Sequence, residues 1–144
     1  MTAFFNKLRA RLLPVAVMIS SFTLLSCSGD ELQIQNNFPF EVKVMPVPTA
    51  ISNGDRVEIR ITIQQNGHYT GTQYFIRYFQ SEGKGTLRYY DEPKYLPNDL
   101  YQMPAQQFRL YYTSQSTVSQ SFDVWISDNF GNEKQLIFQF NNSD

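Results

Sequence analysis

Apolar and polar residues alternate one by one along most of this chain, with the period of β-strands. Phe40, Val42 and Val44 share one face of an extended segment and Glu41 and Lys43 the other; Met45-Pro46-Val47-Pro48 then ends it by removing backbone donors. Val57, Ile59, Ile61 and Ile63 alternate with Glu58, Arg60, Thr62 and Gln64, so a slip of one residue would expose all four apolar side chains. Gln73 to Gln80 carries aromatics on both faces, Phe75 and Phe79 on one and Tyr74 and Tyr78 on the other, which predicts a central strand. A short strand follows from Thr86 to Tyr90. Three more have cores Phe108-Leu110-Tyr112, Phe122-Val124-Ile126 and Leu136-Phe138-Phe140. The predicted turns are Asn53-Gly54-Asp55, Gln65-Asn66-Gly67, Ser81 to Gly85 and Asp128 to Asn132, each with residues that accept tight-turn backbone angles. Leu32 to Phe38 predicts a weak additional first strand, and Asp91 to Pro104 a proline-punctuated crossover without clear period.

Outside the N-terminal segment no window shows the three-and-four spacing of a helix. Seven strands in about 110 residues predict an all-β fold, an immunoglobulin-like antiparallel β-sandwich, with a small barrel as the alternative. The cysteine pair of antibody domains is missing and Trp125 falls late, on the sixth strand, so the assignment rests on strand count and alternation.

The first 26 residues follow a different pattern. Lys7, Arg9 and Arg11 precede an apolar run from Leu12 to Leu25, which is too short for the roughly 20 residues of a spanning helix. The run closes on Leu24-Leu25-Ser26-Cys27, with the only cysteine in the chain. A leucine three positions before a cysteine and a small residue just before it make the signal for bacterial lipoprotein processing. No A-x-A-like site for ordinary secretory cleavage lies nearby. We therefore expect residues 1–26 to be a signal peptide, residues 27–31 a lipidated Cys27 with a short tether, and residues 32–144 the sandwich domain. Acyl chains on Cys27 would hold that domain on a membrane, since each buried methylene contributes about 0.8 kcal/mol.

Removing the signal leaves 118 residues, enough for one domain with a single core. They carry nine Lys or Arg against thirteen Asp or Glu, which argues against nucleic acid as a partner, because phosphate binding needs clustered cations. With Cys27 acylated, no thiol remains for a disulfide, and stability must come from packing. His68 is the sole histidine and sits in a predicted loop, so no metal cage is expected. Gly83-Lys84-Gly85-Thr86 lacks the spacing of a phosphate loop and has no helix after it; it reads as a turn between strands. Asp91, Glu92 and Asp99 lie beside Tyr90, Tyr95 and Tyr101, but a glycosidase needs its two carboxylates held about 5 to 10 Å apart in a deep cleft, and 118 residues of sandwich offer little depth. Tyrosine rings also stack on sugars, which leaves glycan binding by an envelope lipoprotein as an alternative. No catalytic, cofactor-binding or metal-binding residue is identified.

Several segments in order carry a family resemblance: Met45-Pro46-Val47-Pro48, Gly54 to Arg60, Ile76 to Gln80, Gly83 to Arg88, Leu96-Pro97-Asn98-Asp99, Phe108 to Thr113 and Asp128-Asn129-Phe130-Gly131. Together they resemble the TraQ-type conjugal transfer proteins of Bacteroidetes conjugative transposons. The resemblance implies a non-enzymatic envelope lipoprotein of the transfer apparatus, whose partners are other conjugation proteins and the membrane reached through Cys27. It implies an outer-membrane location, facing the periplasm or displayed at the cell surface. It supplies no site beyond the lipidated cysteine. For the interaction surface the residues themselves point to the crossover, with Tyr95 and Tyr101, and to the last turn, with Asn129 and Phe130 at its tip.

Overall fold

Alternation in sequence becomes inside and outside in space. The computed structural model describes residues 35–144; the signal segment, Cys27 and the tether lie outside the described residues. Nine strands form: β1 (Phe40–Val44), β2 (Ala50–Ile51), β3 (Arg56–Gln65), β4 (Tyr74–Glu82), β5 (Gly85–Tyr89), β6 (Tyr101–Met103), β7 (Gln107–Ser114), β8 (Gln120–Asp128) and β9 (Glu133–Asn142). The seven strands expected from alternation are all present; β2 and β6 are additions of two and three residues. So short an element has too few positions to show a period, and β6 is set by its pairing with β4 rather than by its own pattern. Residues 35–39 are not in a strand, so the described part of the weak first strand does not form, and Leu32 to Ile34 fall outside the described residues.

One sheet runs β1-β3-β7-β5 and the other β2-β9-β8-β4-β6. With β1, β3, β7 and β5 read as strands A, B, E and D, and β4, β8 and β9 as C, F and G, this is the strand order of an immunoglobulin constant-type sandwich. Its first strand divides between the sheets: β1 pairs antiparallel with β3, and β2 pairs parallel with β9. The prolines Pro46 and Pro48 stand at that change of sheet.

Between the sheets lie Ile59, Ile61, Ile76, Leu87, Leu110, Tyr112, Phe122, Val124, Ile126 and Phe140, all essentially without solvent contact. Phe122 is the hub of the aromatic packing, with ring centroids 4.3 Å from Tyr112, 5.1 Å from Phe138 and 5.7 Å from Tyr78. The polar ends of these tyrosines are satisfied inside. Tyr112 donates to Gln120 Oε1 at 2.7 Å and accepts from Gln80 Nε2 at 3.1 Å, while Tyr78 donates to Gln80. Strand β4 lies within its sheet between β8 and β6. Only Tyr74, Ile76 and Tyr78 face the core, however, and Phe79 stands exposed on the outer face.

Candidate functional site

The crossover from β5 to β6 leaves one sheet and joins the other, so residues 90–100 bridge one side of the sandwich. It is pinned by backbone bonds: Tyr95 N donates to Leu87 O at 2.8 Å and Asn98 N to Tyr78 O at 2.8 Å, one anchor on each sheet. Two of its residues adopt left-handed backbone, Tyr90 with φ 45° and Asn98 with φ 65°. Asparagine tolerates this region, whereas a bulky L-residue there costs about 1–2 kcal/mol. The surrounding fold holds Tyr90 in that state, its ring edge-on to Tyr89 at 4.7 Å between centroids.

Tyr95 and Tyr101 are brought together. Their rings stack at 4.5 Å between centroids and 30° between planes. Tyr95 is buried and donates to Met103 Sδ at 3.8 Å; Tyr101 Oη accepts from Leu96 N at 2.9 Å. Burial pushes the Tyr95 hydroxyl well above the ordinary tyrosine range, and the neighbouring Tyr89, Tyr101 and Glu92 add to it, so it stays neutral. Beside this pair opens a cleft of about 810 Å³ walled by Tyr89, Pro93, Tyr95, Leu96, Tyr101 and Pro104, with the exposed Glu92 and Lys94 as its charged members. Leu96 and Leu100 stand 53% and 60% exposed, and Tyr90 38%. Three of the seven exposed large apolar side chains among the described residues thus belong to this one segment.

The cleft is lined mainly by tyrosine, proline and leucine side chains. Its walls include no histidine, serine or cysteine. His68 stands exposed in the loop between β3 and β4. A sugar platform needs free ring faces, and Tyr95 has one face on Tyr101 and the remainder buried.

The last turn is built differently and lies across β4 from the cleft: Tyr101 pairs on the β6 side of Ile76, whereas Asn129 and Phe130 follow β8. The Asp128 carboxylate accepts from Phe130 N and Asn132 N at 2.9 Å each and from Asn132 Nδ2 at 2.7 Å, closing the turn on itself. Asn129 is exposed but occupied, accepting from Gln73 N at 2.9 Å and donating to Gly71 O at 3.0 Å. Phe130 folds back on Tyr69, with ring centroids 5.7 Å apart, and is half-buried. Asn129 and Phe130 therefore clasp the loop before β4. Leu96, Leu100 and Pro93 were not singled out from sequence; the available signal was exposed apolar residues in a segment without strand period.

The outer face of the four-stranded sheet carries most of the ion pairing. Glu58 receives Arg60, Tyr111 Oη at 3.2 Å and Arg109 at 3.6 Å, and its carboxyl is held below the usual range, chiefly by the bond from Arg60. Arg56 lies over the Tyr111 ring at 4.1 Å. Exposed pairs of this kind contribute little to stability, because water and salt screen them.

The TraQ conjugal transfer protein family matches residues 11–143. The crystal structure of a conjugative transposon lipoprotein from Bacteroides eggerthii superposes with a TM-score of 0.69 at 45% identity, covering 74% of this chain and 100% of that one. A solution structure of a lipoprotein from Bacteroides thetaiotaomicron gives a TM-score of 0.68 at 48% identity, covering 80% of this chain and 88% of its own. A conjugate transposon protein from Bacteroides vulgatus gives 0.66 at 46% identity, with coverages of 78% and 91%. No curated protein matches the chain.

Proposed function

The chain belongs to the TraQ conjugal transfer protein family, and from that premise we propose that it is a non-enzymatic binding module of the transfer apparatus, tethered to the envelope through acylated Cys27. Its partner is another protein of the same apparatus, docked at the crossover cleft. One observation carries this reading: the segment that gives Pro93, Tyr95 and Leu96 to a cleft with tyrosine and proline walls also exposes Tyr90, Leu96 and Leu100, and its backbone is strained at Tyr90. Strain persists where the surrounding structure enforces it, and such positions cluster at ligand clamps. The tether is supported by the Leu24-Leu25-Ser26-Cys27 signal and by two similar proteins being described as lipoproteins. We place the domain at the outer membrane, facing the periplasm or the cell surface; protease treatment of intact cells distinguishes these orientations.

Two experiments test the proposal. Cys27→Ala should yield a full-length precursor without acyl label; a normally sized, acylated product would contradict the tether. A photoreactive side chain at position 100 in donor cells should cross-link to a protein encoded by the same conjugative element. The same probe at the exposed Lys84 should give no such adduct, and equal labelling from both positions would remove the cleft from the account.

A further inference from the structure

The opposite edge of the five-stranded sheet has a separate capacity. In β9 the hydrogen-bonding direction follows from two bonds. Asp128 N donates to Asn132 O, so even-numbered residues of β9 turn their backbone toward β8; Asn141 N donates to Thr49 O, so odd-numbered ones turn away. Beyond that edge β2 pairs only with Asn141 and Asn142. The N–H and C=O groups of Gln135, Ile137 and Gln139 are therefore without strand partners among the described residues.

Edge strands are normally guarded by charge, proline or a covering segment. Gln135 to Asn142 contains neither charge nor proline, and Ile137, at the middle of the open stretch, is 61% exposed, the highest of any large apolar residue described. Next to it on the same outer face lie Asp123, its cross-strand partner, and then the exposed Phe79. On the inner side the sandwich is incompletely closed here. Lys134 of β9 reaches Glu41 of β1 at 3.2 Å, and Leu136, Val42 and Val44 are only partly buried.

We infer that the β9 edge accepts an added β-strand: a short, extended, uncharged segment of a partner protein with apolar residues on both faces. Its backbone pairs with Gln135, Ile137 and Gln139. Its outward apolar side chain lies beside Ile137, and its inward ones cover Leu136 and the open side of the core. The open stretch from Gln135 to Gln139 extends about 14 Å, which limits the segment to roughly five residues. A second copy of the chain paired symmetrically about Ile137 fits less well. Placing Ile137 opposite its equivalent would set the copy's Glu133 against Asn141, where β2 already pairs.

The inference is independent of the crossover cleft, since β9 and β6 lie on opposite sides of β8 and β4. The test pans a phage-displayed library of random short peptides on the full, detergent-solubilised protein and follows bound peptides by amide exchange. We expect enriched peptides that are uncharged and alternate in apolar residues, and that protect the amides of Gln135, Ile137 and Gln139. Binding should fall about tenfold or more in Ile137→Lys and in Gln139→Pro, the latter removing an edge donor that has no partner among the described residues. Leu100→Asp should leave it unchanged. Peptides that bind Gln139→Pro and wild type equally, or that protect only crossover amides, would overturn the inference. Concentration-dependent self-association abolished by Gln139→Pro would overturn it in favour of a second copy.

Discussion

Gly85 has no side chain because Tyr112 ends there. A Cβ at this position would overlap the tyrosine hydroxyl and the ring carbons beside it. Tyr112 has no room to move away, being fully buried and held by Gln80 and Gln120. Gly85→Ala should therefore destabilise the domain by about 1–3 kcal/mol, the usual cost of overpacking, read as a lower urea midpoint with unchanged slope. Phe122→Ala removes the ring on which four other aromatics, Tyr78, Tyr112, Phe138 and Phe140, pack and should cost about 3–5 kcal/mol. That is a large part of the 5–15 kcal/mol that separates folded from unfolded domains, so this variant should be mostly retained only at reduced temperature. A result under about 1 kcal/mol would mean that the core is less tightly packed than the ring geometry indicates.

Elements differ in how far their residues announce them. Strand β3 is legible because four isoleucines and valines at every second position allow only one burial pattern. β4 is legible as a central strand from its aromatics, and it lies between β8 and β6; the aromatics divide between a tyrosine-rich inner face and a partly exposed outer one. β2 and β6 were not legible at all, because two or three residues contain no period and form only by docking on β9 and β4. The site divides in the same way. Tyr95 and Tyr101 were named from composition, but their stacking depends on the crossover's path, which no local pattern encodes. The crossover's strain is open to measurement. Tyr90→Gly trades the left-handed penalty of about 1–2 kcal/mol against about 1 kcal/mol of added unfolded-state freedom. Stability should stay within about 1 kcal/mol of wild type while transfer falls; a large destabilisation would show that Tyr90 serves folding rather than docking.

For the molecule as a whole, buried hydroxyls set the response to alkali. Burial raises the pKa of Tyr78, Tyr95, Tyr112 and Tyr74; neighbouring tyrosines add to it at Tyr78 and Tyr95, Glu92 at Tyr95 and Asp128 at Tyr74, while the bond to Gln80 opposes it at Tyr112. In the unfolded chain these groups ionise near pH 10, while in the folded domain they keep their protons longer. The unfolded state thus loses protons first, and stability is fully present below about pH 10 and declines above it. Melting temperature should be flat through neutrality and fall beyond that point, with a shallower fall in Tyr78→Phe; an equal slope in that variant would assign the effect elsewhere. In the role proposed for the domain in conjugal transfer, Cys27 holds it at the envelope and the crossover receives a partner. The most direct test is transfer frequency from a donor deleted for this gene and complemented at matched levels by wild type, Cys27→Ala or Leu96→Asp/Leu100→Asp, the last first checked for native melting. Loss on deletion, rescue by wild type and failure of both variants is the predicted result; full transfer with the folded crossover variant would contradict the account.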